Sequence, residues 1–237
     1  MGNSRWHIFR SLCCETDLWV AVSREHSVKD VEAYTFQRIL YYRNILEDQI
    51  RRQPAFMTSL VPVFETADTR PVVKEMYRAS SAAFTGPMSA VAGAIAQFVC
   101  NDLIHEFKLA EAVVENGGDI FLKLEAEATI SVYAGKSSLS EKIVLLLKPE
   151  ETPLSVCTSS ATVGHAFSKG KADACMIACR SGALADAYAT KFCNRVKSKD
   201  QVLEITEEAL KKPDILSAVI IMDDVVGLGG KLSFQFA

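Results

Sequence analysis

Two short segments of this chain concentrate side chains that can do chemistry. Glu115-Asn116-Gly117-Gly118-Asp119 sets two glycines between an amide and a carboxylate. Glycine adopts positive φ at little cost, so the backbone can turn sharply there and approach a ligand, with Asp119 following where a metal or a hydroxyl could be held. Cys157-Thr158-Ser159-Ser160-Ala161-Thr162-Val163-Gly164-His165 gathers several hydroxyls, a thiol and an imidazole within nine residues. Thr158, Ser159 and Ser160 can present hydroxyls and backbone N–H groups to a phosphate, beside Gly164. His165 has the chemistry of a general acid–base or a phosphate donor, and Cys157 that of a nucleophile if its thiolate is favoured. Each feature has a plainer reading. The hydroxyls can cap a following helix, and a histidine can simply be half-buried against backbone.

Each segment closes an apolar run that reads as a strand, and polar side chains at strand ends commonly line binding sites. The other titratable groups offer less. His7, His26 and His105 lack companions suited to metal or catalysis. Cys13 and Cys14 are adjacent, whereas a zinc knuckle needs two to four intervening residues, so no zinc is expected. Cys175 and Cys179 sit among Met176, Ile177 and Ala178 and read as core thiols. The seven cysteines, without a charged-then-apolar leader, read as reduced thiols of a cytoplasmic protein.

The elements that must position these residues follow from period and punctuation. Residues 6–12 and 17–23 read as strands, as a hairpin. Val28 to Ile50 carries apolar residues at helical spacing and stops before Pro54. Pro54, Pro62 and Pro71 punctuate an irregular connection, and 72–82 reads as a helix. From Ala79 to Asn101 no residue is charged, yet Ser80, Ser81, Thr85, Ser89 and Gln97 make the stretch too polar for a membrane span. Gly86, Ala90, Gly93, Ala94 and Ala96 describe instead a helix, about 87–107, able to pack very closely on a sheet or ligand. Strands are predicted at 111–115, 119–125, 128–134, 142–148, 154–157, 172–178, 216–222 and 231–236, with helices at 183–196 and 200–210. This order predicts an α+β fold with largely antiparallel sheets packed against helices, as a single domain over residues 1–237 or two intimately packed subdomains. A formal net charge of −3 and 49% hydrophobic residues carry no basic footprint, so nucleic acid is not an expected partner, nor is a membrane. A monomer and a homo-oligomer both stay open.

The chain also resembles a known family. Val114-Glu115-Asn116-Gly117-Gly118-Asp119-Ile120, the 157–165 segment and Ala185-Asp186-Ala187-Tyr188-Ala189-Thr190 look like the ordered hallmarks of the ApbE-like superfamily. Glu15-Thr16-Asp17-Leu18, Pro54-Ala55-Phe56 and the run from Gly86 to Ile95 bring the resemblance closer to the uncharacterised ApbE-related proteins of anaerobic bacteria and archaea. It extends over most of the chain, from about residue 15 to 230. ApbE proteins proper are magnesium-dependent flavin transferases that move FMN from FAD onto a Thr or Ser of a target protein. Their Asp-Ala-x-x-Thr motif supplies metal ligands, and the resemblance maps these to Asp186 and Thr190. An Asp and a Thr four residues apart share one helix face, a spacing suited to hard oxygen ligands. This chain departs from the transferase pattern at 86–96, where the Lys-Gly pair and the Asp of the flavin-contacting helix are missing.

The expectation is therefore an ApbE-like protein that binds a phosphorylated small molecule, FAD, FMN or another nucleotide, with Mg2+ as the metal. A second reading, from the family's link to sulfur assimilation and homocysteine formation, has Cys157 handle sulfide or persulfide. A third is a non-catalytic accessory module.

Overall fold

The computed structural model of the chain describes residues 5–66, 70–162 and 170–237. Strands β1 (His7–Cys13) and β2 (Thr16–Val22) form the expected hairpin, with Cys14 at positive φ in its turn. Helix α1 (Val28–Arg52) buries Val31, Ile39, Tyr42 and Leu46, the stripe that its sequence period predicts. A single helical turn, α2 (Ala55–Thr58), occupies part of the proline-punctuated connection, where only irregular chain is expected from sequence. Helix α3 (Pro71–Ala83) opens with proline at its first position, where the missing N–H costs nothing, and ends on Phe84 in the left-handed conformation. A 3-10 turn (Pro87–Ala90) leads into α4 (Val91–Phe107).

Seven of the remaining strands complete the frame together with two helices. These are β3 (Ala112–Asn116), β4 (Asp119–Lys123), β5 (Ala128–Ser131), β6 (Ile143–Leu147), β7 (Leu154–Ser159), β8 (Ala174–Cys179) and, after the helices α5 (Gly182–Arg195) and α6 (Val202–Leu210), β9 (Ile215–Met222). Two more, β10 (Val225–Gly230) and β11 (Ser233–Phe236), close the chain. The principal sheet has the order β1-β2-β3-β4-β7-β8-β9-β10, every neighbour antiparallel, and a smaller sheet has the order β11-β6-β5. The fold is α+β.

Alternation along the central strands feeds two cores. Cys157, Cys175, Ile177, Ala218 and Ile220 face the helices, where they join Leu103 and Phe192. Val156, Met176, Val219 and Ile221 face the smaller sheet, with Leu145 and Leu147. Cys175 and Cys179 are fully buried, as their apolar neighbours predict. Each fully buried Leu, Ile or Phe contributes about 1.5–3 kcal/mol relative to exposure, so both cores hold the sheet rigidly. One helix, Pro87–Phe107, is long and apolar enough to cross a membrane by length and composition. Half of its apolar window is buried inside the molecule, with Ala94, Ala96, Val99 and Leu103 at zero exposure.

Two boundaries differ from the sequence reading in ways that matter. Strand β7 runs to Ser159 rather than stopping at 157, so Thr158 and Ser159 are ladder residues opposite Met176 and Cys175. Strand β10 is absent from the sequence reading because its Gly-Leu-Gly-Gly end resembles a turn. Its glycines serve packing instead: a Cβ at Gly227 would lie 2.3 Å from Thr206 Oγ1 on α6.

Candidate functional site

The site is built where the ends of β3, β4 and β7 meet the amino-terminal turns of α4 and α5. Asn116-Gly117-Gly118-Asp119 is a two-residue hairpin connection between β3 and β4, with Gly117 at φ 64° and Gly118 at φ 101°. Only glycine adopts both values readily, and the tight turn sets Asn116 and Asp119 opposite each other. The Asn116 side-chain amide donates to the Ala92 carbonyl at 3.3 Å, tying the turn to the start of α4.

Helices α4 and α5 then approach to backbone contact. A Cβ on Gly93 would fall 2.3 Å from the Gly182 carbonyl oxygen, and one on Gly182 would fall 2.2 Å from the Gly93 carbonyl. That approach brings Asp186 on α5 to α4, where the Gly93 N–H donates to its Oδ2 at 2.9 Å. The Gly182 N–H donates to Gln97 Oε1 at 2.7 Å, and Ser181 caps α5 by accepting from the Leu184 N–H. Unsatisfied N–H groups at a helix start favour negative charge, so Asp186 is in an electrostatically sensible place.

The result is a cavity of about 1370 Å³, above the range of about 300–1,000 Å³ common for small-molecule sites. Asn116, Gly117, Gly118 and Asp119 line it. So do Thr158, Ser159 and Ser160, and so do Asp186 and Thr190. All nine come from three separate stretches of sequence. Gly164 and His165 lie outside the described residues. Strand β5 forms one wall, and Trp19, Phe84, Met57 and Leu60 add an apolar side with substantial exposure.

Two buried carboxylates dominate the electrostatics. Asp119 is 8% exposed, and its Oδ1 has no hydrogen-bond partner. Burial, and next the charge of Asp186, push its carboxyl well above the usual range. Burial likewise raises Asp186 to about 7, against the opposing backbone N–H bonds from Gly93 and Ala92. Glu115 is raised by burial while accepting from the Gly118 N–H. A buried carboxylate oxygen without a donor is costly, and in native proteins such a group marks strain, a functional role, or a bound water or ion.

The residues fit a hard divalent cation. Two neighbouring carboxylates and the Thr190 hydroxyl are oxygen donors, the type that magnesium prefers. The described residues hold no cluster of three or more His, Cys, Asp or Glu side chains that could bind a metal. A cation here would therefore complete its shell with backbone carbonyls, water or phosphate oxygens, as magnesium commonly does.

Cys157 does not fit the role expected of it. It is fully buried in the ladder opposite Asp119, beneath α5, with its Sγ 3.7 Å from the Gly182 carbonyl and 3.3 Å from Ser155 Oγ. Burial, then the charges of Asp119 and Asp186, push its thiol well above the ordinary value. A nucleophilic or persulfide-carrying cysteine needs access and a stabilised thiolate; this one has neither. The nucleophilic and sulfur-handling roles that the sequence offers Cys157 are opposed by strand parity, which turns it toward the helices.

The structure adds residues that the sequence did not single out. Lys191 and Arg195 line the cavity beyond Thr190 on α5; Glu15, which the sequence offers only within the family resemblance, lines it from the β1–β2 turn. Lys191 immediately follows the Asp-x-x-x-Thr spacing, a cue that helical period alone reads as a solvated face.

Solved structures share this architecture. The flavin transferase ApbE from Vibrio cholerae superposes with a TM-score of 0.61 at 13% identity, over 95% of this chain and 96% of that one. The apo flavinyl transferase ApbE of Pseudomonas stutzeri gives 0.59 at 12% identity, over 97% and 96%. The fold is that of the ApbE-like proteins. At the level of sequence, the AbpE bacteria family matches residues 3–229, and the chain belongs to that family. Its relatives include the UPF0280 protein of Methanocaldococcus jannaschii, 36% identical over 233 residues, covering 96% of this chain and 92% of the relative. A UPF0280 protein of Methanococcus maripaludis strain C7 is 40% identical over 199 residues, 82% of this chain and 80% of that one.

Proposed function

We propose that the cavity binds a phosphorylated small molecule, a flavin nucleotide or another nucleotide, together with magnesium held by Asp186 and Thr190. The observation that carries this reading is the buried, donorless Oδ1 of Asp119 beside a second buried carboxylate in a large cavity. Two such groups resist ionising together in a dry site, and a divalent cation removes the conflict. When bound, magnesium would neutralise the carboxylates and the phosphate charge that faces them.

The chain's own residues then have distinct tasks. Asn116 and the glycine turn fix the backbone against α4. Thr158, Ser159 and Ser160 offer hydroxyls at the end of β7, Thr158 and Ser159 from opposite faces of the strand, and Trp19 and Phe84 offer aromatic faces for a planar ring. Names of the solved neighbours support a flavin as the ring. Flavin transfer itself is not part of the proposal, since residues 86–96 carry no charged side chain. The burial of Cys157 weighs against the sulfur-handling alternative.

The direct trial is a magnesium titration in the presence of FMN or FAD, followed by flavin fluorescence, with wild type and Asp186→Ala compared. Magnesium-dependent binding by wild type, weakened at least about tenfold in the variant, is expected from losing one charged ligand. Equal binding by both proteins removes Asp186 from the metal role.

A further inference from the structure

The charges lining the cavity are unbalanced. Glu15, Glu115, Asp119 and Asp186 contribute acid groups, and among the described lining residues the cations are Lys191 and Arg195 alone. Arg195 is engaged by Glu208, and Glu15 is engaged from behind by Arg43 at 2.7 Å. Lys191 forms no ion pair among the described residues; its ammonium lies 5.5 Å from the centroid of the Phe192 ring. One uncommitted cation thus sits in a cavity whose other end holds two buried carboxylates, one with a donorless oxygen.

Helix geometry fixes where that cation lies. Asp186 and Thr190, four residues apart, share a face; Lys191 lies about 7.5 Å further along the axis than Asp186, at 1.5 Å per residue. Five residues at about 100° each also carry Lys191 about 140° round the helix from Asp186, so the two do not share a face, yet both line the cavity, which thus has an acid end and, further along α5, a lysine. An anionic ligand is repelled at the first end unless a cation intervenes, and it is attracted at the second. The uncharged 86–96 run supplies no alternative cation.

We infer that Lys191 is the specificity-determining residue of the cavity, selecting ligands that carry a phosphate or diphosphate over the same ring without one. The inference rests on the phosphorylated-ligand reading and adds the group that enforces it. No side chain elsewhere in the described lining can replace Lys191 without first breaking the Arg195–Glu208 pair. The Lys191→Arg variant keeps the charge, and Lys191→Gln removes it while leaving a side chain of similar length.

The test measures affinities of wild type, K191Q and K191R for FMN, riboflavin and inorganic pyrophosphate, each with magnesium, by fluorescence or calorimetry at fixed ionic strength. Wild type is expected to bind FMN at least about tenfold more tightly than riboflavin. K191Q should lose about 10- to 100-fold for FMN and pyrophosphate, the range for one charge-assisted hydrogen bond, with riboflavin unchanged. K191R should recover most of the loss. Pyrophosphate binding that K191Q weakens, with no flavin bound at all, would discard the flavin and keep the inference. Riboflavin bound as tightly as FMN, K191Q indistinguishable from wild type on both anions, or no anion bound by wild type would each overturn it.

Discussion

Replacing Gly93 by alanine puts the geometry of the site under direct strain. The new Cβ would lie 2.3 Å from the Gly182 carbonyl oxygen, and 2.9 Å from both the Gly182 carbonyl carbon and the Asp186 Cβ. Two of these atoms are main chain of a helix start held by its own cap and by Gln97, so the neighbour cannot swing away. Overpacking of this kind costs about 1–3 kcal/mol and more where backbone must move. Against it stands the helical preference of alanine over glycine, at most about 1 kcal/mol. The net expectation is a loss of about 2 kcal/mol. For a chain of this size that lowers Tm by roughly 4–8 °C. Thermal unfolding followed by circular dichroism reads the shift. Because the Gly93 N–H donates to Asp186 Oδ2, the variant should also weaken magnesium-dependent ligand binding. A G93A protein with wild-type or higher Tm would show that α4 and α5 are not in backbone contact, and the account of how Asp186 is positioned would fail.

Other outcomes follow from the same groups. Asp186 is raised to about 7 and Asp119 is raised well above the usual carboxylate range, so each folded-state pKa exceeds its unfolded value and the neutral form is favoured on folding. Ligand-free protein should therefore be most stable near pH 4 with respect to these groups and lose stability as pH rises to about 7. Denaturant melts across that window should show the slope reduced in Asp186→Asn; an unchanged slope would contradict the assignment. Magnesium should flatten the same profile in wild type, since it binds the ionised form. Partial alkylation mapped by mass spectrometry should modify exposed Cys14 first and leave Cys157 and Cys175 intact while the protein is folded. Labelling of Cys157 at the rate of Cys14 would restore a reactive role for it.

Much of this molecule is legible one residue at a time. The period of α1, the small residues of α4, the glycine pair at 117–118 and the acid–hydroxyl spacing at 186–190 each state a local requirement that the fold then meets. What escapes is whatever depends on the element across the way. Strand β10 hides because Gly227 and Gly229 are present for the closeness of α6 rather than for a turn: a Cβ at Gly227 would lie 2.3 Å from Thr206 Oγ1, and one at Gly229 would lie 2.9 Å from Leu210 Cδ1. Thr158 and Ser159 read as a loop because hydroxyls favour turns, yet pairing with β8 keeps them extended. Cys157 shows the limit most sharply. Local composition makes it the exposed leader of a polar cluster, and only the alternation of a strand that continues two residues further turns it beneath α5.

The same dependence explains why the site sits where it does. Asp119 and Asp186 are 67 positions apart in sequence, and nothing in either neighbourhood names the other as its partner. They become a coupled pair because three independent local rules agree. The Gly117-Gly118 turn reverses the chain just before Asp119. Gly93 and Gly182 let two helices touch, and Asp186, four residues after Gly182, falls one turn into α5 on the side facing that contact. Two buried carboxylates side by side, one with an unpartnered oxygen, are unfavourable for stability alone. Their presence in a cavity also lined by hydroxyls and a lysine is therefore the strongest physical argument that this end of the sheet is arranged for a ligand.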